Sequence, residues 1–238
     1  MTTMRCVWAA GFVVAAAALF AACGGDGGGN ETATAPAGEP GASSELVALA
    51  ERFAASSFRG EYTVTGLAGS AEFQDARLVI YKDGADKVRF DLSATQNGEP
   101  TELLFFETAE MSAFCLRNAG EFGLLLGINE GDGVCFNDEA GGGAGDYSEI
   151  IQDIEQGDGE ILERSQRQIA GQQADCYQVS DAQGSISDVC FSAEGYLLAT
   201  TEADGSGLEA TSVSGSVSEG DFTLPYEVRE FPDTSTPE

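Results

Sequence analysis

The sequence predicts an α+β domain: a large antiparallel sheet with helices set against one face. Three observations carry that expectation. From residue 60 onward the chain is mostly short runs of β-branched, aromatic and alternating residues, about eleven in number. Gly or Asp-Gly pairs stand between them as turns. Only two stretches, at 43–54 and 146–156, change to the helical period.

Ahead of the domain lies a different kind of segment. Arg5 gives a basic start, and 7–22 then runs without a charge, ending in small residues. As a helix its 16 residues would span about 24 Å, short of the roughly 30 Å hydrocarbon core, so a cleaved signal peptide is expected over a permanent span. Leu19-Phe20-Ala21-Ala22-Cys23 resembles the lipobox of bacterial lipoproteins, in which the enzyme that removes the leader cuts before a lipidated cysteine. The resemblance implies that Cys23 is lipidated. Phe20 stands where that family uses Leu, Val or Ile. Ordinary secretion, with cleavage after Ala22 and a free Cys23 thiol, is the alternative. Two or three acyl chains hold a protein durably, each buried methylene giving about 0.8 kcal/mol. A tether at 24–42 follows, with seven Gly, two Pro and no large apolar residue. As a flexible coil it would have an end-to-end distance of roughly 24 Å.

The folded part opens with 43–54, where Ser43 and Ser44 can cap, Glu45 suits the positive end, and Leu46, Leu49, Ala50 and Phe53 share one stripe. A strand follows at 60–66. Next comes a hairpin, 77–82 and 87–92 about Asp83-Gly84; in its second arm Lys87, Arg89 and Asp91 alternate with Val88, Phe90 and Leu92. Strands are expected at 102–108, 111–116 and 133–137, with an apolar, Gly-broken insert at 122–128. Gly141 to Gly145 leads into the second helix, where Asp146 and Glu149 form a capping box and Tyr147, Ile150, Ile151 and Ile154 one stripe. Strands then return at 160–169, 174–179, 187–192, 196–202 and 208–214, and the chain closes with 221–228 and a polar tail from 231.

Charge and composition exclude some functions. With 40 acidic against 11 basic residues the net charge is −29. That argues against nucleic acid, which needs basic stripes, and against a globule lying on anionic lipid. Solubility accounts for most of it. There is no His, which removes the usual general base and the commonest transition-metal ligand. The glycine run lacks a Gly-Lys-Ser/Thr sequence, and the Asp-Gly turns lack EF-hand spacing. No enzyme, cofactor or metal site is expected.

Cys6 leaves with the leader and Cys23 goes to lipid, leaving Cys115, Cys135, Cys176 and Cys190. An even count in an exported domain reads as disulfides, with three possible connectivities. Sequence neighbours are the natural pairs, Cys115–Cys135 and Cys176–Cys190, because each pair flanks a hairpin. Each loop would contribute about 3 kcal/mol. For a ligand cavity the candidates are the apolar strand residues Leu78, Ile80, Val88, Phe90, Leu92, Leu104 and Phe106, with Ile150 and Ile154 of the second helix. The same residues could equally fill a solid core.

The order of motifs adds a resemblance. A helix, a Tyr-x-Val strand, Ile80-Tyr81-Lys82-Asp83-Gly84 with Val88-Arg89-Phe90-Asp91, then Cys190-Phe191-Ser192-Ala193-Glu194-Gly195-Tyr196-Leu197-Leu198 and Asp221-Phe222-Thr223-Leu224-Pro225, is similar to lipid-anchored lipoproteins of the LolA-like superfamily. Those are related to outer-membrane lipoprotein carriers and mycobacterial glycolipid-carrying lipoproteins. The resemblance spans 43–228 and implies a strongly curved, unclosed antiparallel sheet with two or more helices on the concave face. The insert at 120–131 departs from it. The expected organisation is a leader at 1–22, lipidated Cys and tether at 23–42, one domain at 43–230 and a tail at 231–238. The expected function is a lipoprotein anchored on the extracytoplasmic side of the cell membrane, binding or carrying a lipid or lipidated molecule. The alternative is an envelope sensor or structural interaction lipoprotein with a filled core. Oligomeric state is left open.

Overall fold

The computed structural model describes residues 42–66, 73–96, 98–118, 120–129, 131–137, 159–181 and 184–231. They form two compact units. The leader, Cys23, the tether up to residue 41 and the helix expected at 146–156, with Ile150 and Ile154, lie outside the described residues; Ala42, expected in the tether, belongs to the first helix.

The first unit holds helix α1 (Ala42–Ala55) and strands β7 (Glu160–Ile169), β8 (Gln172–Ser180), β9 (Ile186–Ser192), β10 (Leu197–Glu202) and the start of β11 (Gly207–Ser214). The strands pair in the order β11-β10-β9-β8-β7. α1 buries the stripe that its spacing predicts, Leu46, Leu49, Ala50 and Phe53. Phe53 meets Phe191 at 5.9 Å between ring centroids, and Glu45 pairs with Arg164 of β7. Gly195 lets the helix approach: a Cβ there would lie 2.6 Å from that of Arg52, and its φ is +87°. Cys176 and Cys190 stand directly opposite in β8 and β9 and are bonded.

The second unit holds β2 (Phe73–Asp83), β3 (Lys87–Gln96), β4 (Glu99–Thr108), β5 (Ser112–Arg117), a short helix α2 (Gly120–Leu125), β6 (Gly133–Asn137) and β12 (Val228–Arg229). With β1 (Ser57–Thr65) they run β12-β6-β5-β4-β3-β2-β1. All neighbours are antiparallel except β12, which pairs parallel with β6. β2 carries a bulge: the register skips between Gln74 and Arg77, where Asp75 takes φ +53°. Cys115 and Cys135 stand opposite in β5 and β6 and are bonded. Both predicted disulfide pairings are therefore present.

β1 and β11 pass through both units. Thr65 donates to the carbonyl of Gly207 in the first unit, and Thr211 to that of Glu61 in the second. Among the described residues the hydrogen-bonded strand order is β12-β6-β5-β4-β3-β2-β1-β11-β10-β9-β8-β7. Two expectations need correcting. Twelve strands are formed by the described residues, because Val228 and Arg229 add an edge strand to β6. The apolar insert contains α2. Of the two helices expected, α1 is among the described residues and the one at 146–156 is not.

Candidate functional site

The second unit's sheet has two faces of opposite character, and cross-strand register assigns each side chain to one of them. Arg59 faces Tyr81, Tyr81 faces Arg89, and Arg89 faces Phe106, so these four form one row across β1 to β4. The guanidinium of Arg89 lies 4.9 Å from the ring centroids of both Tyr81 and Phe106, and Arg59 lies 5.5 Å from Tyr81. Arg89 Nε and Nη2 donate to Asp91 Oδ1 and Oδ2 at 2.6 and 2.7 Å. Burial pushes the Asp91 carboxyl up, against the pull of that bidentate pair.

The C-terminal segment covers this face as a strap. Arg89 Nη1 donates to the carbonyl of Asp221 at 2.6 Å, Lys87 pairs with Glu219 at 2.8 Å, and Tyr226 Oη donates to Glu102 at 3.0 Å. Phe222 is buried beneath it. Leu224 and Tyr226 pack on a core of Leu104, Phe106, Ala113, Cys115 and Cys135. The Tyr226 ring lies over Gly133, where a Cβ would come within 2.5 Å of it. This face is a filled core, closed by its own chain.

The other face is apolar and only partly closed. Register places Phe58 and Tyr62 of β1, Leu78 and Ile80 of β2, Val88, Phe90 and Leu92 of β3, and Leu103 and Phe105 of β4 on it. Phe114 and Leu116 of β5 and Val134 and Phe136 of β6 continue it. Its two flanks are sealed: Phe58, Tyr62, Leu78 and Ile80 are buried on one, Leu116, Val134 and Phe136 on the other. At the β5–β6 flank the insert supplies part of the cover through Ile128 and Leu126. Between the flanks Val88, Phe90, Leu92, Leu103, Phe105 and Phe114 are only half-buried. This strip of large apolar side chains in mid-sheet, where burial is normally deepest, is the candidate site. At one end of the strip Lys82 shares the face, with its Nζ donating to the carbonyl of Gly84 and its pKa lowered by burial.

The sequence-derived cavity set is therefore divided. Leu78, Ile80, Val88, Phe90 and Leu92 share the apolar face. Leu104 and Phe106 do not: they stand opposite Asp91 and Arg89, under the strap. Their neighbours Leu103 and Phe105 take the places assigned to them. The run Leu103-Leu104-Phe105-Phe106 is apolar on both sides, so its own pattern does not say which pair faces which way. The register does: Gln96 pairs with Glu99, and hence Phe90 with Phe105. Phe114 and Phe136 follow from the same count. Among the described residues no group of three or more His, Cys, Asp or Glu is placed to hold a metal.

No protein-family model matches the chain, and no curated protein matches it. Solved structures do. One is the Pseudomonas aeruginosa MucA/MucB complex, with TM-score 0.47, 15% identity, 78% of this chain and 61% of that chain covered. A second is MucB, at 0.47 and 14%, with 79% and 64% covered. A third is MucB in complex with MucA(peri), at 0.44 and 16%, with 74% and 56% covered. The chain thus spans less than two thirds of each. At TM-scores below 0.5 these likenesses establish neither a shared fold nor a shared function.

Proposed function

We propose that this chain is a lipoprotein of LolA-like kind, anchored through Cys23 on the extracytoplasmic side of a membrane, that binds a lipid or lipidated molecule on the apolar face of its second unit. One observation supports the reading above others: the six half-buried side chains from Val88 to Phe114. An acyl chain needs no directed bonds, only apolar surface, and each methylene it buries yields about 0.8 kcal/mol. The opposite face, filled by its own strap, offers no such surface. The proposal includes the family's architecture, a curved sheet with helices on its concave side.

The test is to recover the protein from membranes, analyse its extract for lipid by mass spectrometry, and titrate it with N-phenyl-1-naphthylamine, a dye that fluoresces on leaving water. Lipid in the extract and saturable dye binding are expected, with Phe105→Asp weakening the dye by tenfold or more. A wild type that carries no lipid and binds no dye would overturn the reading.

A second reading is an envelope sensor or interaction protein, in parallel with the solved structures in which MucB is bound to MucA. Its own support is the exposure of Leu124 and Val228, at 67% and 42%, on the segments that flank β6. Crosslinking in intact cells separates the two: a protein adduct through Val228 with no bound lipid favours this one.

A further inference from the structure

Phe231 is 49% exposed, yet its ring lies 5.9 Å from that of Phe114 and 5.3 Å from that of Phe136. Those two rings, 5.3 Å apart, belong to the apolar face and not to the face under the strap. The tail reaches them by changing sides. Phe222, Leu224 and Tyr226 lie on the strap face, the backbone then pairs with the outer side of β6 through β12, and Phe231 arrives on the apolar face two residues later.

The two halves of this tail are held very differently. On the strap face it has an ion pair with Lys87, a hydrogen bond from Arg89 to the Asp221 carbonyl, one from Tyr226 to the Glu102 carboxylate, and the buried Phe222 ring. On the apolar face the described contacts are those of one half-exposed ring, following a strand of two residues. Phe114, the ring it partly covers, is one of the six half-buried residues of the strip. Three of the four exposed large apolar side chains among the described residues, Leu124, Val228 and Phe231, lie on segments adjoining β6.

We propose that Phe114 and Phe136 form the terminal subsite of the apolar strip, and that Phe231 is a displaceable plug in it. The end of a ligand's acyl chain takes the place of the Phe231 ring. The inference rests on the lipid-binding reading above and adds to it where the chain ends and what competes there. A half-exposed ring gives up little on leaving. A chain running from Val88 toward Phe114 covers the same two rings and the strip besides, so displacement favours the ligand. Binding is then reduced by the fraction of time the plug is seated. A plug seated nine times in ten weakens apparent affinity about tenfold.

The experiment uses the chain without its first 23 residues, which keeps every described residue and, with Trp8 gone, has no Trp. Dye titration should show Phe231→Ala binding N-phenyl-1-naphthylamine up to about tenfold more tightly than wild type. Phe231→Trp then supplies the single indole, and its emission should shift to the red as oleate displaces it into water. Binding by the variant alone, with none by the wild type, supports the plug most directly. Equal or weaker binding by Phe231→Ala, with no oleate-dependent shift in Phe231→Trp, overturns the plug and leaves the lipid-binding reading standing. No binding by either protein overturns both. A Phe231→Ala chain that fails to fold would leave the indole shift to decide.

Discussion

Glu202, at the end of β10, is a described residue whose charge answers to pH near neutrality. Burial raises its pKa from the ordinary 4.5 to about 7, and the negative charges of Asp204 and Asp181 push the same way. The folded chain therefore holds this proton more tightly than the unfolded chain does. Protonation stabilises the fold fully below pH 4.5, and that contribution is lost as pH rises through about 7. Thermal unfolding should show the wild type losing stability over that window relative to Glu202→Gln, which carries no charge at any pH. The variant should melt above the wild type at pH 8 and converge with it near pH 4. Melting temperatures that stay parallel across the range would exclude this role for Glu202.

At the scale of elements, the two faces of β4 make opposite predictions for neighbouring phenylalanines. Phe106 is 1% exposed beneath Arg89 and the strap, so Phe106→Ala should cost about 3–5 kcal/mol in chemical denaturation. Phe105, half-buried on the strip, should cost roughly 1–2 kcal/mol as Ala and should weaken dye binding, which Phe106→Ala should leave alone in whatever fraction folds. The reverse pattern would mean that the faces are exchanged. This pair also shows where sequence reading stops. Strands at 133–137 and 160–169 are legible to the residue, because Gly turns bound them, at Gly131 and Gly133 for the first and at Gly159 and Gly171 for the second. α1 is legible because four buried residues recur at helical spacing. β12 is not, since two residues have no period, and α2 is not, since Gly120-Glu121-Phe122-Gly123-Leu124-Leu125 is too short and too rich in Gly to show one. The apolar content of the site was visible, but its sidedness was not. Sidedness is a matter of register, which β3 and the other partner strands decide together.

For the whole molecule, the proposed anchoring raises the question of what would hold a chain of net charge −29 at a membrane surface that is itself anionic. Electrostatics works against contact, and no described helix is long and apolar enough to cross. One disulfide in each unit, Cys176–Cys190 in the first and Cys115–Cys135 in the second, suits an oxidising compartment outside the cytoplasm. The acyl anchor proposed on Cys23 would answer the problem of attachment, because two or three chains would supply enough buried methylene to hold against the repulsion. Such an anchor predicts a distinctive response to salt. Screening should weaken repulsion and leave attachment unchanged, so high-salt washing of membranes should release none of the wild type. Cys23→Ser should put the protein in the soluble fraction, or leave it unprocessed with its leader. In the soluble case its mass should fall by that of the acyl groups. A Cys23→Ser protein that stays with the membrane at the same processed mass as the wild type would show that Cys23 carries no lipid, and that something other than an acyl chain holds this acidic domain in place.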